Sequence, residues 1–184
     1  MLKILTVPNP VLTASAKPIS KIDDLIKKLI KDMEKTLLVQ KDPKGVGLAA
    51  PQVGQALQLF IIKPSTKAKI EVFINPKILA VKRTLSRRQK SEHQATGTPD
   101  KHSKLEGCLS IPRIWAPIKR SQEVELEYQD ENGKTKKKKF KDFKTIIVQH
   151  EIDHLNGILF TQRALEQKAQ LYEEKGDKLE KITF

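Results

Sequence analysis

Two histidines four residues apart with a glutamate between them, in the run His150-Glu151-Ile152-Asp153-His154, are the residues of this chain best placed to do chemistry. On a helix, positions i and i+4 stand one above the other about a turn apart. Both imidazoles can then reach one metal ion while the carboxylate sits beside a water on it. Metal-assisted hydrolysis is the chemistry this arrangement serves, with the glutamate carrying the proton. Phe143, Ile146, Ile147 and Leu155 make the rest of the predicted helix apolar, so the site should be buried, and two buried histidines without partners would be costly. The competing reading is that the spacing arises by chance, which it can for an isolated HExxH.

Two imidazoles leave a metal short of a third ligand. Beyond His154 there is no further His or Cys, which leaves Glu166, Glu173 and Glu174 on that side. Upstream stands Glu106-Gly107-Cys108-Leu109-Ser110. Cys108 is the single cysteine, so it cannot form an internal disulfide and is a core filler, a metal ligand or a nucleophile. A lone cysteine is often an inert small hydrophobe. Its neighbours, a glycine and a glutamate at the end of a charged stretch, argue against that role.

The elements that must position these residues can be read from periodicity. Ser20 followed by Asp23 resembles a capping box, with apolar residues from Leu25 to Leu37 at helical spacing, and predicts a first helix over about 21–39. Gly45 to Gln52 places glycines where a regular element would break and predicts a backbone-shaped turn. Residues 57–62 and 70–74 read as strands, the second closed by Asn75-Pro76. Val124, Leu126 and Tyr128 alternate, and Asn132-Gly133 then predicts a hairpin whose return strand, 134–140, is an exposed lysine-rich edge. Asp142 is a candidate N-cap for the HExxH helix, which stops at Asn156-Gly157. A last helix is expected over about 164–175. Strands before and around a central helix imply an α+β fold rather than an alternating parallel one.

A length of 184 residues suits one domain with a real core, so a single domain over 1–184 is expected. No window approaches the roughly 18 consecutive apolar residues of a membrane span, and MLKILTVPNP lacks a signal-peptide core. A cytoplasmic protein without membrane contact is expected. The formal charge of +13 is patchy. From Val81 to Lys104 seven basic residues face Glu92 and Asp100, a net +5, and from Lys134 to Lys144 seven lysines face Asp142, a net +6. The stretch 82–104, nearly free of apolar residues, is expected to be a basic flexible loop.

Three segments together resemble the peptide deformylase family. Gly45 to Gln52 is similar to its GxGLAAxQ motif, Glu106 to Ser110 matches EGCLS, and Gln149 to Gly157 matches QHExDHLxG, all in the family order. The similarity runs from Ile4 through Phe160. The resemblance implies antiparallel and mixed sheets wrapped around a central helix that carries HExxH. It implies hydrolysis of the N-formyl group from the formyl-methionine of nascent polypeptides, releasing formate, by what is expected to be a monomer. By the same resemblance Cys108, His150 and His154 hold one divalent ion, with iron(II) favoured and nickel, cobalt or zinc also used. Glu151 is then the general acid/base, and Gln52 with the backbone N–H of Leu109 holds the oxyanion. Gly45, Gly47 and Gly107 allow close approach of a peptide backbone, and Val46, Phe143, Ile146 and Ile147 line a methionine pocket.

The chain departs from the family pattern in its long basic 82–104 stretch and after Ile111-Pro112, where Arg113-Ile114-Trp115 stands in place of a common Gly or acidic residue. The two basic segments suggest contact with ribosomal RNA, which would be strongly salt-dependent; the alternative is a solvated charged face. Two other functions compete: a zinc endopeptidase of the HExxH type, with a ligand after His154 and no role for Cys108, and a catalytically silent ribosome- or RNA-binding relative.

Overall fold

A computed structural model of the chain describes residues 1–41, 44–82 and 105–183. The basic stretch assigned to a loop therefore lies almost wholly outside the described residues. Among the described residues three α-helices, α1 (Asp24–Leu38), α2 (Asp142–Leu155) and α3 (Phe160–Glu166), accompany nine strands. β1 (Gly47–Ala49), β2 (Leu59–Ile62), β3 (Glu71–Lys82), β6 (Glu123–Gln129) and β7 (Thr135–Lys141) form one antiparallel sheet in the order β1-β2-β3-β6-β7. β4 (Glu106–Cys108), β5 (Ile111–Ala116), β8 (Tyr172–Lys175) and β9 (Lys178–Lys181) form a second, in the order β4-β5-β8-β9.

The period of two along β2 sorts its four buried residues between two cores. Phe60 and Ile62 face α2, packing with Phe73, Tyr128, Phe140, Ile147, Val148, Ile152 and Leu155. Leu59 and Ile61 face α1, with Ile30, Met33, Leu37, Val72 and Ile74. A sheet covered by a helix on each face needs apolar residues at every position, which is why Leu-Phe-Ile-Ile reads as a continuous run. Phe73 lies at the centre of the α2 side, stacked on Phe60 at 4.5 Å, with Tyr128 at 4.4 Å and Phe140 edge-on at 5.6 Å. A third cluster joins Cys108, Ile111 and Ala116 of the second sheet to Phe160 and Ala164 of α3.

Several local expectations are corrected. The cap of α1 is Asp23, whose side chain accepts from the Ile26 N–H, and not Ser20. Asp142 lies inside the first turn of α2 with φ +53°, and Lys141 takes the N-cap position without a side-chain bond. Gly47–Ala49 is a short strand followed by a 3₁₀ turn, Ala50–Val53, rather than a turn throughout. β3 does not stop at Asn75-Pro76 but continues to Lys82. Its register shifts there, Asn75 adopts φ +50°, and the Asn75 side chain bonds both the N–H and the C=O of Ile19. A bulge spares Pro76 the ladder bond it cannot make.

The C-terminal correction is the largest. The helix expected over 164–175 ends at Glu166, and residues 172–175 instead pair with β5 and, through Gly176 at φ +58°, with β9.

The basic strand 134–144 is also not the free patch that its charge count suggests. β7 is an edge strand as expected, but Lys137, Lys139 and Lys141 stand opposite Glu127, Glu125 and Glu123 of β6, with ion pairs of 3.2, 3.8 and 3.2 Å. Lys136 pairs with Asp130, and Lys138 and Lys144 both pair with Glu71. The neutralising carboxylates lie outside the counted segment, so a count along the chain misses them.

Candidate metal centre

α2 presents His150 and His154 on successive turns, their ring centroids 4.9 Å apart and their planes at 77°. β4 brings Cys108 onto them from the other sheet, with Sγ 3.2 Å from His154 Nε2. The ligating atoms of Cys108, His150 and His154 all lie within 4.8 Å of one another, the only such group of His, Cys, Asp or Glu among the described residues. Glu166, Glu173 and Glu174, the alternatives for a third ligand, are occupied elsewhere: Glu166 with Arg163, Glu173 with Lys175, and Glu174 with the Trp115 indole.

The electrostatics favour a bound cation. Burial alone would push the Cys108 thiol up, but the two imidazoles beside it outweigh burial and hold it well below its ordinary value. Burial alone would lower His150, whereas its bonds to Cys108 and Glu106 raise it well above. Glu151 is raised to about 7, chiefly because it is buried. Its Oε2 and His154 Nδ1 are buried with no hydrogen-bond partner. Orphaned polar atoms of this kind are costly unless something charged or polar shares the space. A thiolate with two imidazoles is a donor set that suits iron, nickel, cobalt and zinc. These residues fit a divalent ion.

The supporting groups are built from residues far apart in sequence. His150 Nδ1 lies 3.2 Å from Glu106 Oε2, an arrangement that leaves Nε2 as the free nitrogen. Glu106 in turn accepts two bonds from Arg120, at 2.9 Å each, and Arg120 Nη1 also donates to Asp153 at 2.6 Å. Asp153 accepts from Arg163 as well, at 2.8 Å. Burial would raise both carboxyls, but His150 and Arg120 hold Glu106 below its ordinary value, and Arg163 and Arg120 hold Asp153 below its own. Arg120 thus ties β4, which carries Cys108, to α2, which carries the histidines.

Gln52 lies where the resemblance expects it. Its Oε1 accepts from the Ala49 N–H at 2.9 Å, which turns Nε2 toward Ser110 Oγ at 3.2 Å and Cys108 Sγ at 3.5 Å. Leu109 falls in the turn between β4 and β5. Val46 and Ile147 belong to one cluster, and a Cβ on Gly47 would meet both Ile147 and Glu151. Ile146 is half-buried, Phe143 is 52% exposed at the start of α2, and Gly45 packs against Leu37 and Gln40 rather than toward Cys108. Gly107 lies under Trp115.

Glu106, Ser110, Arg120 and Asp153 are the residues that sequence reasoning passed over as participants. Glu106 and Asp153 were in view only as letters of motifs. Nothing local marks Arg120, because its partners are 14 and 33 positions away.

The family model described as polypeptide deformylase matches residues 1–170. The peptide deformylase of Desulfotalea psychrophila is 36% identical over 179 residues, 95% of this chain and 94% of the relative. That of Microchaete diplosiphon is 42% identical over 156 residues, 83% of this chain and 73% of the relative. Among solved structures, a peptide deformylase from Thermotoga maritima superposes with a TM-score of 0.72 at 34% identity, covering 89% of this chain and 97% of that one. One from Synechococcus elongatus, in complex with actinonin, gives 0.72 at 35% identity, covering 88% and 78%.

Proposed function

We propose, from the premise that this chain belongs to the peptide deformylase family and removes the N-formyl group from nascent peptides, that Cys108, His150 and His154 hold its metal and Glu151 moves its protons. The observation that carries this reading is the convergence of one sulfur and two imidazoles within 4.8 Å, beside a buried carboxylate with an unpartnered oxygen. A divalent ion held by these three would supply a Lewis acid that polarises the formyl oxygen and acidifies water at neutral pH.

The chain's own groups do the rest. Glu151, whose burial favours its protonated form, takes a proton from the attacking water and gives it up again. The water oxygen bonds to the formyl carbon, the C–N bond breaks, and the proton passes from Glu151 to the leaving methionine nitrogen, giving formate and a free amino terminus. Gln52 Nε2, fixed by Ala49 and Ser110, and the N–H of Leu109 stabilise the growing charge on the formyl oxygen. Each such donor contributes on the order of 3 kcal/mol by comparison with other oxyanion holes. Gly47 and Gly107 admit the peptide backbone, whereas Gly45, expected to do the same, packs against Leu37 and Gln40; Val46, Ile146 and Ile147, with Phe143 at the rim, take the methionine side chain.

Iron(II) is the ion we favour, since the donor set suits it and the family resemblance points to it. The deciding experiment is metal analysis and turnover of a formyl-Met peptide by protein prepared without oxygen in iron or nickel. Cys108→Ser should lose both metal and turnover. Retained metal in that variant would remove the sulfur from the site and favour an endopeptidase-like ligand set.

The monomeric state, the cytoplasmic location and a ribosomal RNA contact are further parts of this proposal. The last is supported by the net charge of +13. Among the described residues no helix is long and apolar enough to cross a membrane. Co-sedimentation with ribosomes at rising salt tests the contact: release by salt supports it, and absence of binding at low salt ends it.

A further inference from the structure

Among the described residues β4 is an edge strand of its sheet. Its register partner on β5 places Trp115 directly opposite Gly107, and residues directly opposite project to the same face. Gly107 has nothing to project. A Cβ built on it would lie 2.8 Å from Cε3 and Cζ3 of Trp115, so the six-membered ring of the indole covers the glycine. The other end of the indole points the opposite way, its Nε1–H donating to Glu174 Oε2 of β8 at 2.8 Å. Arg113 Nε holds the backbone of the same residue, donating to the Glu174 carbonyl at 2.8 Å. The indole therefore lies crosswise from β8, over β5, onto β4.

We propose that Trp115 is a specificity-determining residue for the deformylation reaction, forming the apolar floor beneath the side chain of the substrate residue that follows formyl-methionine. It favours an aromatic or long aliphatic residue there over a glycine or an acidic one. The proposal rests on the reading that puts the formyl carbon at Cys108. An extended peptide that pairs with β4 from that point runs back along it, because Leu109 and Ser110 turn into β5. Its methionine, opposite Cys108, projects to the Cys108 face, where α2 lies. Its next residue, opposite Gly107, projects to the Trp115 face. Strands two apart are separated by roughly 10 Å, too far for a contact across an ordinary side chain. A bare glycine with an indole laid over it closes that distance.

Glu174 acts through Trp115 and is a positioning residue. The experiment compares kcat/KM for formyl-Met-Phe-Ala, formyl-Met-Leu-Ala, formyl-Met-Gly-Ala and formyl-Met-Asp-Ala in the metallated enzyme. The Phe peptide should exceed the Gly peptide by roughly three- to tenfold, the range that an aromatic contact supplies, with KM carrying the difference. Trp115→Ala should bring that ratio close to one. Glu174→Ala should lose part of it, and Glu174→Gln, which keeps an acceptor oxygen, should restore it.

Because Trp115 is the chain's single tryptophan, the unmodified protein offers a second measurement. The product peptide Met-Phe-Ala should shift its emission to the blue more than Met-Gly-Ala does. A ratio unchanged in Trp115→Ala, or identical emission with both peptides at saturation, overturns the proposal. If metallated wild-type protein turns over none of the four substrates, the underlying site reading fails instead, and the proposal with it.

Discussion

Gly47 and Glu151 are packed so closely that a Cβ on the glycine would lie 2.2 Å from the Glu151 Oε1 and 2.9 Å from Ile147 Cγ2. β1 and α2 meet at this point, and the carboxylate assigned to proton transfer owes its position to the absence of a side chain across from it. Real Cβ atoms do not approach an oxygen so closely, so any other residue at 47 must push the carboxylate or the strand aside.

Gly47→Ala is therefore expected to lower kcat by roughly ten- to a hundredfold, the scale of loss when a reacting group is displaced by about an ångström. Metal content should stay near that of the parent, because the atoms nearest the added Cβ belong to Glu151 and Ile147 and not to a ligand. Parallel metal analysis and steady-state kinetics check this, and an unchanged kcat would show that the carboxylate has another productive position.

Arg120, 7% exposed at its side chain, serves Glu106 and Asp153 together. Replacing it by Met leaves two buried carboxylates short of their shared counter-charge, a kind of change that costs about 3–5 kcal/mol. Arg120→Lys should recover only part of this, because a single ammonium cannot reproduce a fork that reaches two carboxylates. Urea unfolding of the metallated proteins measures it. A loss under about 1 kcal/mol in the Met variant would mean that His150 and Arg163 suffice for the two acids.

The reach of the sequence can be judged from these same residues. His150, Glu151 and His154 were legible because their geometry is local: one helix, one turn. Cys108 was legible as one candidate among several for the third ligand, and Gln52 only through motif resemblance, since the contact that joins Cys108 to the helix spans 46 positions and the one that joins Gln52 to Cys108 spans 56. Arg120 was not legible, having no periodicity or motif. The C-terminal segment misled for a physical reason. Its Leu, Gln, Glu and Lys residues favour a helix locally, but Tyr172 and Leu179 gain more by extending the second sheet beside β5, a non-local pairing that propensity does not register. The lysines of β7 misled in the same way, because their partners lie across the ladder.

Acid sensitivity should follow Glu71. Burial would raise its carboxyl, but bonds from Lys138 and Lys144 outweigh burial and hold it below the ordinary value of 4.5. A folded-state value below the unfolded one stabilises the protein at pH above the unfolded value, and that contribution is lost as pH falls through the folded one. Glu71→Gln should be less stable than the parent at pH 7, and the gap should narrow as pH falls below 4.5 and on through the lower folded-state value. Paired urea titrations across that range test it. A gap independent of pH would assign the effect to packing of the Gln and not to charge.

The β6–β7 ladder gives a prediction about partners as well as stability. Glu123, Glu125 and Glu127 face Lys141, Lys139 and Lys137 along one flank of the hairpin, all partly exposed. Exposed pairs of this kind contribute little, so replacing the three glutamates by glutamine should change stability only slightly, and less at high salt. The larger effect should be on polyanion affinity. With the carboxylates in place the lysines present little net field, and their removal adds three positive charges to one strip of surface. The triple variant should elute from heparin at higher salt than the parent. If the parent already elutes as late as the variant, the strip was attracting polyanions despite its glutamates, and β7 would return as a candidate RNA-contacting strand.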